Sequence, residues 1–429
     1  MTYENAIKKI HSLLSFGSRP GLDRIKKLLS LMGNPQDKLK FIHVAGTNGK
    51  GSVCQLLSSV LICEGYKTGL FISPYITDFR ERIQINGEMI SQSDLAEAVE
   101  KTFPLVEKLR EQDCIITEFE YIMAVEFYIH SLKKCDVVVL ETGMGGLLDC
   151  TNVIKPPLCS IITTVGIDHT AVLGGTLEKI AEQKCGIIKE NSVAVTSKQD
   201  FKAMSVIEDT AKAKGVPLYK SEDVTVKIIK TTIEESVFEY KGEKLRLPLA
   251  GIHQIENAKT VLSAIDALNR GGILEISKGS IVKGFESAKN PARLEVMGKS
   301  PLVILDGAHN PNGIKALADS LCTLVPNSDK ICIMGMMSDK DSVSSIELLE
   351  NTFTEVICVD VENPRSLKAE ELAQECKGHF KNVKAVGSPV SAFDYAYEKA
   401  QKDGLCLVIC GSLYLCGEIR PYILNKLNK

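Results

Sequence analysis

Residues 41–52 read FIHVAGTNGKGS, a short apolar strand running straight into a glycine-rich loop that carries one lysine and a hydroxyl. That is the outline of a triphosphate cradle. Gly46, Gly49 and Gly51 let backbone N–H groups converge on phosphate oxygens, Lys50 can reach the β and γ phosphates, and Ser52 can hold Mg²⁺. Val53, Leu56, Leu57, Val60 and Leu61 then recur at helical spacing, so the loop feeds a helix whose positive N-terminus faces the anion. The spacing departs from the common GxxxxGK[ST] pattern: only Thr47 and Asn48 separate the first two glycines, and Gly51 splits Lys50 from Ser52. A bare glycine-rich turn is the alternative reading.

Outward from this loop, apolar runs ending in a polar or acidic residue alternate with helical patterns, as in CDVVVLETG, CSIITTVGIDH, PLVILDGAHNP and EVICVD. Such alternation implies an α/β protein with parallel sheets covered by helices on both faces, whose ligands bind beyond the carboxyl ends of the strands. One stretch differs. VTVKIIKTTIEESVFEYKGEKLRL alternates with period two around a Lys241-Gly242 turn, which predicts a small antiparallel sheet attached to the first domain. From about Pro301 the alternation starts afresh, so the expected domains are residues 1–295 and 296–429.

Composition narrows the class. The 429 residues are 44% hydrophobic and 24% charged, as in an ordinary soluble protein, and a net charge of −3 gives no reason to expect a nucleic acid or an anionic membrane surface as partner. No run approaches a membrane span, and the start MTYENAIKKIHSLL lacks the apolar core of a secretory leader, so the expected location is the cytoplasm. The 14 cysteines include no CxxC pair and several lie in apolar strands, which predicts buried free thiols.

Several side chains fall where a strand opens into a loop. Glu141 follows an apolar run and precedes Thr142-Gly143-Met144-Gly145-Gly146, a suitable oxygen ligand for Mg²⁺ or simply a solvated acid. His169 stands at the same rim, although imidazole is an unusual partner for Mg²⁺. Lys184 shares a helical stripe with Leu177, Ile180 and Ala181, on a helix that Thr176 can cap. Burial would lower its pKa, and the neutral amine is the form that reacts with CO₂, so Lys184 is either carbamylated, becoming an anionic oxygen ligand, or a snorkelling or ion-paired lysine. In GIHQIENAKTVLSAIDAL the core stripe leaves Asn257 pointing away, toward ligand or water. Asp306 ends an apolar run, and Asn310-Pro311 supply a cap and first-turn proline for a helix, which leaves Asp306 and His309 unexplained by capping. Arg293, close to the domain boundary, could reach a phosphate.

The strings GTNGKGS, SPYITDFRERIQING, GLLDCTN, GIDHT, EQKCGIIK, HQIENA, ARLE and DGAHNP, in this order, resemble the folylpolyglutamate synthase and dihydrofolate synthase family within the Mur ligase superfamily. The resemblance covers nearly the whole chain. It implies a P-loop ATPase domain followed by a Rossmann-like ligase domain, with Gly46, Thr47, Asn48, Gly49, Lys50, Gly51 and Ser52 around the ATP phosphates. It implies further that Ser52, Ser73, Glu141 and His169 coordinate Mg²⁺, that Lys184 is the carbamylated lysine, and that Asn257, Arg293 and Asp306 bind ATP. His309 matches a residue near the catalytic centre, while Arg82, Thr117, Phe119, Glu120, Asp149 and Ser412 match the folate or pteroate region. Two departures stand out: Leu147 replaces an arginine common in the family, and Ala292 replaces a glycine next to Arg293.

The implied reaction is phosphorylation of a folate or dihydropteroate carboxylate by ATP, then attack by the amine of L-glutamate, in a monomer whose second domain closes to bring Arg293 and Asp306 into place. Two alternatives are less well matched. A ligase of peptidoglycan precursors usually carries a whole domain before the loop, and here only 45 residues precede Gly46. A P-loop phosphotransferase or switch has no evident use for Lys184 or DGAHNP.

Overall fold

The computed structural model of the chain describes residues 1–17 and 20–427. Valine- and isoleucine-rich runs become strands buried on both faces. Eight strands, β1 (Phe41–Ala45), β2 (Thr68–Phe71), β3 (Ile83–Ile85), β4 (Glu88–Met89), β5 (Val137–Glu141), β6 (Cys159–Ile162), β7 (Val193–Thr196) and β8 (Leu218–Lys220), form one sheet in the order β4-β3-β2-β5-β1-β6-β7-β8, the two edge strands β4 and β8 being the less buried. All neighbours from β2 to β8 are parallel, while β3 and β4 form an antiparallel edge hairpin. The hairpin turns on Asn86 and Gly87, both left-handed, the turn that matches strand twist.

The helix Lys50–Glu64 buries Val53, Leu56, Leu57, Val60 and Leu61, as its periodicity requires, and stops at Gly65 in the left-handed conformation that frees the last carbonyls for capping. The helix Lys278–Ser287 approaches it so closely that a Cβ on Gly284 would lie 2.5 Å from the Val60 Cα. Only glycine fits there.

The chain divides into two compact units: Met1–Ser73, Arg80–Thr225 and Glu256–Ser287 make one, and Pro74–Phe79, Val226–Ile255 and Ala288–Lys429 the other. The second holds the antiparallel sheet β9 (Lys227–Thr231), β10 (Ser236–Tyr240) and β11 (Glu243–Leu247), with Lys241 and Gly242 left-handed at the expected turn. The strands are those expected, but their attachment differs. Ile233 and Ala250 pack into the core formed by Ile304, Ile314, Leu317 and Leu321, so the small sheet groups with the C-terminal residues rather than the N-terminal ones. Period-two alternation reports one buried face and carries no information about which core it covers.

The second unit also holds a six-stranded sheet in the order β12-β13-β17-β14-β15-β16, built from β12 (Glu295–Lys299), β13 (Leu302–Leu305), β14 (Lys330–Met334), β15 (Glu355–Cys358), β16 (Asn382–Ala385) and β17 (Cys406–Cys410). β12 is antiparallel and the rest parallel, a Rossmann-like arrangement with separate cores on its two faces. Every cysteine is a free thiol, and all but Cys63 and Cys322 are buried.

Candidate active site

β1 lies between β5 and β6, so the loops leaving these three strands meet at one rim, the position where an open parallel sheet binds its ligand. The phosphate loop is seated against the β6 exit rather than against itself. The amides of Thr47 and Asn48 donate to the Thr164 carbonyl at 2.8 and 3.2 Å. The Thr47 hydroxyl both donates to the Gly166 carbonyl and accepts from the Gly166 amide, each at 3.0 Å. A Cβ on Gly46 would fall 1.8 Å from Thr163 Oγ1, and one on Gly49, which is left-handed at φ +90°, 2.5 Å from Asn257 Oδ1. These two glycines are required by close approach. Asn257 itself is buried against the loop, not turned to solvent, because the Ile252–Arg270 helix is covered on nearly all sides. Thr164 takes the amides of Thr47 and Asn48, and the helix that begins at Lys50 turns its N-terminus, the end that favours anions, to the same rim.

Two lysines meet at one oxygen. Lys50 Nζ folds back to donate to the Gly46 carbonyl at 3.2 Å and the Thr47 carbonyl at 3.3 Å, and Lys184 Nζ donates to the same Gly46 carbonyl at 2.8 Å. Lys184 is 3% exposed, on the helix Leu177–Cys185 that Thr176 caps and whose Ile180 and Ala181 are buried, as its stripe implied. Burial foremost, then the Lys50 charge, lower the Lys184 ammonium to about 7, against the opposing pull of Asp168 and Asp149.

Glu141 ends β5 buried, its Oε2 accepting from the Ser73 amide at 3.0 Å and lying 3.7 Å from where a Cβ on Gly51 would sit. Ser52 is buried in the first helical turn. His169 is left-handed at φ 51°, its amide donating to Asp168 Oδ1 at 2.8 Å and its Nε2 3.9 Å from that same oxygen. Among the described residues no group of three His, Cys, Asp or Glu side chains could hold a metal. One buried carboxylate with serine oxygens beside a phosphate loop nevertheless fits Mg²⁺, which takes one or two carboxylates and draws its remaining oxygens from phosphate and water.

Three expected substrate contacts have partners within the scaffold. Thr117 and Glu120 form a capping box on the helix Glu118–Leu132: Glu120 Oε2 accepts from the Thr117 amide and hydroxyl at 2.8 and 2.9 Å, and Arg24 pairs with Oε1 at 3.0 Å. Asp149 accepts from the Thr151 amide and hydroxyl at 3.0 and 2.6 Å on Oδ1 and from the Met144 amide at 2.8 Å on Oδ2, with the Gly143 amide adding to the set. Four donors fill a carboxylate. Phe119, by contrast, presents its ring to the Glu141 loop, 2.5 Å from where a Cβ on Gly143 would be, and Arg82 is half-buried just before β3.

In the second unit, Arg293 sits between two left-handed non-glycine residues, Ala292 at φ 56° and Leu294 at φ 47°. Asp306 holds this turn: Oδ2 accepts from the Leu294 amide and Oδ1 from the Ala308 amide, both at 2.8 Å. The Gly307 amide donates to the Ala292 carbonyl at 2.8 Å, and Arg293 Nη1 is 3.3 Å from where a Cβ on Gly307 would lie. His309 Nδ1 hydrogen-bonds the Gly307 carbonyl at 2.8 Å, which puts the proton of a neutral ring on Nδ1. Ser412, 1% exposed, accepts from the Tyr414 amide at 3.0 Å and serves as a cap.

Sequence reasoning missed several supports. Gln199 braces the β6 exit, its Oε1 accepting from the Val165 amide at 2.9 Å and its Nε2 donating to the Thr163 carbonyl at 3.0 Å. Lys189 donates to the carbonyls of Asn152 and Ile154 at 3.0 and 2.6 Å, and burial lowers its pKa to about 8. His253 is half-buried, its Nδ1 without a hydrogen-bond partner among the described residues, near Asp306 and Arg293. Of these, only His253, within HQIENA, and Lys189, the last residue of EQKCGIIK, fall in the motif strings, and neither is singled out there.

The Mur ligase middle domain matches residues 44–265 and the Mur ligase glutamate ligase domain matches residues 292–413. The dihydrofolate synthase/folylpolyglutamate synthase of Bacillus subtilis strain 168 is 35% identical over 426 residues, covering 97% of this chain and 98% of its own. A Mycobacterium tuberculosis folylpolyglutamate synthase solved with ADP and AMPPCP superposes with a TM-score of 0.90 at 29% identity, covering 98% of this chain and 99% of that one. Escherichia coli FolC in complex with DHPP and ADP gives a TM-score of 0.86 at 29% identity, over 99% and 98% of the two chains. With both domains matched and relatives aligned from end to end, the chain is an ATP-dependent ligase that belongs to the folylpolyglutamate synthase/dihydrofolate synthase family of Mur ligases.

Proposed function

We propose that this ligase adds L-glutamate to a reduced folate, and to dihydropteroate, through an acyl phosphate. The observation that carries the reading is the meeting of Lys50 and Lys184 at the Gly46 carbonyl beside the buried Glu141 and the first-turn amides of the following helix. A carboxylate is a poor electrophile until it carries a leaving group. The γ-phosphoryl group of ATP passes to the substrate carboxylate, the glutamate amine attacks the activated carbonyl carbon, the C–N bond forms, and phosphate leaves as the amine loses a proton. Lys50 and the amides of residues 49–52 stabilise the charge that moves in the first step, mostly by position and electrostatics.

Ser52, Ser73, Glu141 and His169, with Lys184, are the residues proposed to hold Mg²⁺, which when bound neutralises phosphate charge. Lys184 is proposed to react as the neutral amine with CO₂, forming an N–C bond and releasing a proton. A buried amine that is partly neutral at ordinary pH supports this. Asn257, Arg293 and Asp306 are assigned to the nucleotide, His309 in its Nδ1–H form to the proton lost by the attacking amine, and Arg82 and Phe119 to the folate. Thr117, Glu120, Asp149 and Ser412 frame that region through the caps described. The setting is proposed as a cytoplasmic monomer; unpaired thiols and the lack, among described residues, of any helix long and apolar enough to cross a membrane support the first part.

The test is incubation with ATP, glutamate and either dihydropteroate or a reduced folate, with ADP and pterin products both quantified. A glutamate-extended product is expected from wild type and none from Lys50→Ala. ATP hydrolysis without extension of any pterin acid overturns the reading.

A further inference from the structure

His43 lies in the middle of β1, fully buried in the strand that feeds the phosphate loop. Its Nε2 is 2.8 Å from Thr151 Oγ1. Burial raises the Asp149 pKa, but four donors, the Thr151 hydroxyl and the amides of Thr151, Met144 and Gly143, hold it as the accepting carboxylate; the Thr151 hydroxyl therefore donates to Oδ1 at 2.6 Å, and its oxygen receives the proton of His43 Nε2–H. The ring is therefore the neutral Nε2–H tautomer. Its Nδ1 has no hydrogen-bond partner among the described residues. A bare buried acceptor is a standing cost, which a leucine of similar size would avoid.

What the cost secures lies at the other end of the chain of bonds. Asp149 Oδ2 accepts from the amide of Met144, with Gly143 beside it, and these residues follow Glu141 by only two or three positions. Phe119 rests on Gly143. Rotation of Asp149 would release the whole loop that leaves β5, and with it the aim of Glu141. We propose that His43 is a positioning residue for the ligase reaction, acting through Thr151 and Asp149 to fix the loop after Glu141 relative to the phosphate-loop strand.

This rests on the ligase activity proposed above, and the experiment separates the two. If the wild-type enzyme makes no glutamate-extended product, that activity fails; if wild type is active, His43→Leu, His43→Gln and Thr151→Val decide the present point. His43→Leu is expected to unfold no more easily than wild type, having lost the orphaned nitrogen, yet to lose ~10-fold or more in kcat, the scale that misplacing a catalytic group brings. KM for ATP should change little, because the amides of residues 49–52 are untouched. In His43→Gln the amide Nε2 can reach Thr151 Oγ1 and should restore most of the rate. Thr151→Val breaks the same chain, and its loss combined with His43→Leu should not exceed the larger single loss. Nitrogen-15 NMR of the folded enzyme should show one imidazole with a bare Nδ1 and a protonated Nε2. Wild-type kcat in His43→Leu, failure of His43→Gln to recover rate when His43→Leu is impaired, or additive losses in the double variant would overturn the proposal; if His43→Leu fails to fold, Thr151→Val with wild-type kcat does the same.

Discussion

Acidification from pH 7.5 to 5.5 should destabilise the first unit through His43 by an amount that follows from its surroundings. Burial first, and the charge of Lys189 second, hold this imidazole down at about 3, whereas the unfolded chain carries it at the ordinary value near ~6.5. A depressed pKa means that the unfolded state binds the proton first, so the contribution is complete above ~6.5 and is lost as pH falls toward 3. Between pH 7.5 and 5.5 the unfolded ring goes from about one-tenth to about nine-tenths protonated while the folded ring stays neutral, which costs about 1.4 kcal/mol. The figure hardly depends on the folded value, since any pKa below ~4.5 gives nearly the same result. Amide hydrogen exchange of β1, where exchange proceeds through unfolding of the unit, measures the loss at each pH for wild type and for His43→Gln. Carboxylates elsewhere titrate equally in both, so the difference of differences isolates the imidazole. A double difference of about 1.4 kcal/mol is expected. A value near zero would mean that His43 is protonated in the fold or exposed to water, and would refute both the burial argument and the tautomer drawn from it.

Three further substitutions test the seating of the phosphate loop. Thr47→Val removes the hydroxyl that satisfies both backbone groups of Gly166 and leaves a buried amide unpaired at a cost of ~1–3 kcal/mol; ADP affinity by titration calorimetry should fall about tenfold or more, and an unchanged value counts against the staple. Gly46→Ala places a methyl 1.8 Å from Thr163 Oγ1 and 3.1 Å from the Thr163 carbonyl carbon, so nucleotide binding should vanish while circular dichroism stays native; wild-type ADP affinity would show that the loop is not seated there. Gln199→Glu turns a donor to the Thr163 carbonyl into an acceptor facing it, and should lower the melting temperature and raise KM for ATP together, whereas a change in the melting temperature alone would separate Gln199 from the loop.

The parts of this molecule legible in its sequence are those written in local periodicity. The loop of residues 46–52, the stripe that buries Lys184 and the caps at Thr176 and Asn310 each depend on neighbours a few positions away, and each is found where the spacing put it. Thr117 and Glu120 have a local reading that was not drawn from the sequence. Their order, Thr-x-x-Glu before an apolar run, is itself the signature of a capping box, and local physics would have explained them before any ligand did. For Asn257 the stripe left ligand or water open: it identifies one apolar face, whereas a helix covered on nearly all sides buries part of its polar face as well, here against the loop. Gln199, His43 and Thr163 gave no signal because their partners lie in loops and a turn brought close only by sheet order, and the small antiparallel sheet could not announce which core it would cover.

The departure of the loop from the common P-loop spacing has a physical explanation in that same sheet order. A longer loop can wrap a phosphate with its own successive amides, whereas this one gives the amides of Thr47 and Asn48 to Thr164 and is braced from outside by Thr163, Gly166 and Asn257. Its shape is thus set before nucleotide arrives, and what remains adjustable is Lys50. Among the described residues that ammonium has two peptide carbonyls as acceptors, one of them shared with Lys184. A triphosphate offers charged oxygens, roughly twice as strong as neutral acceptors. Under the proposed assignment, nucleotide binding exchanges weak internal acceptors for strong external ones and draws Lys50 away from Lys184. The two lysines differ in burial, half-buried Lys50 against Lys184 at 3% exposure, and that difference supports the proposal that the first handles phosphate while the second stays fixed at the Gly46 carbonyl.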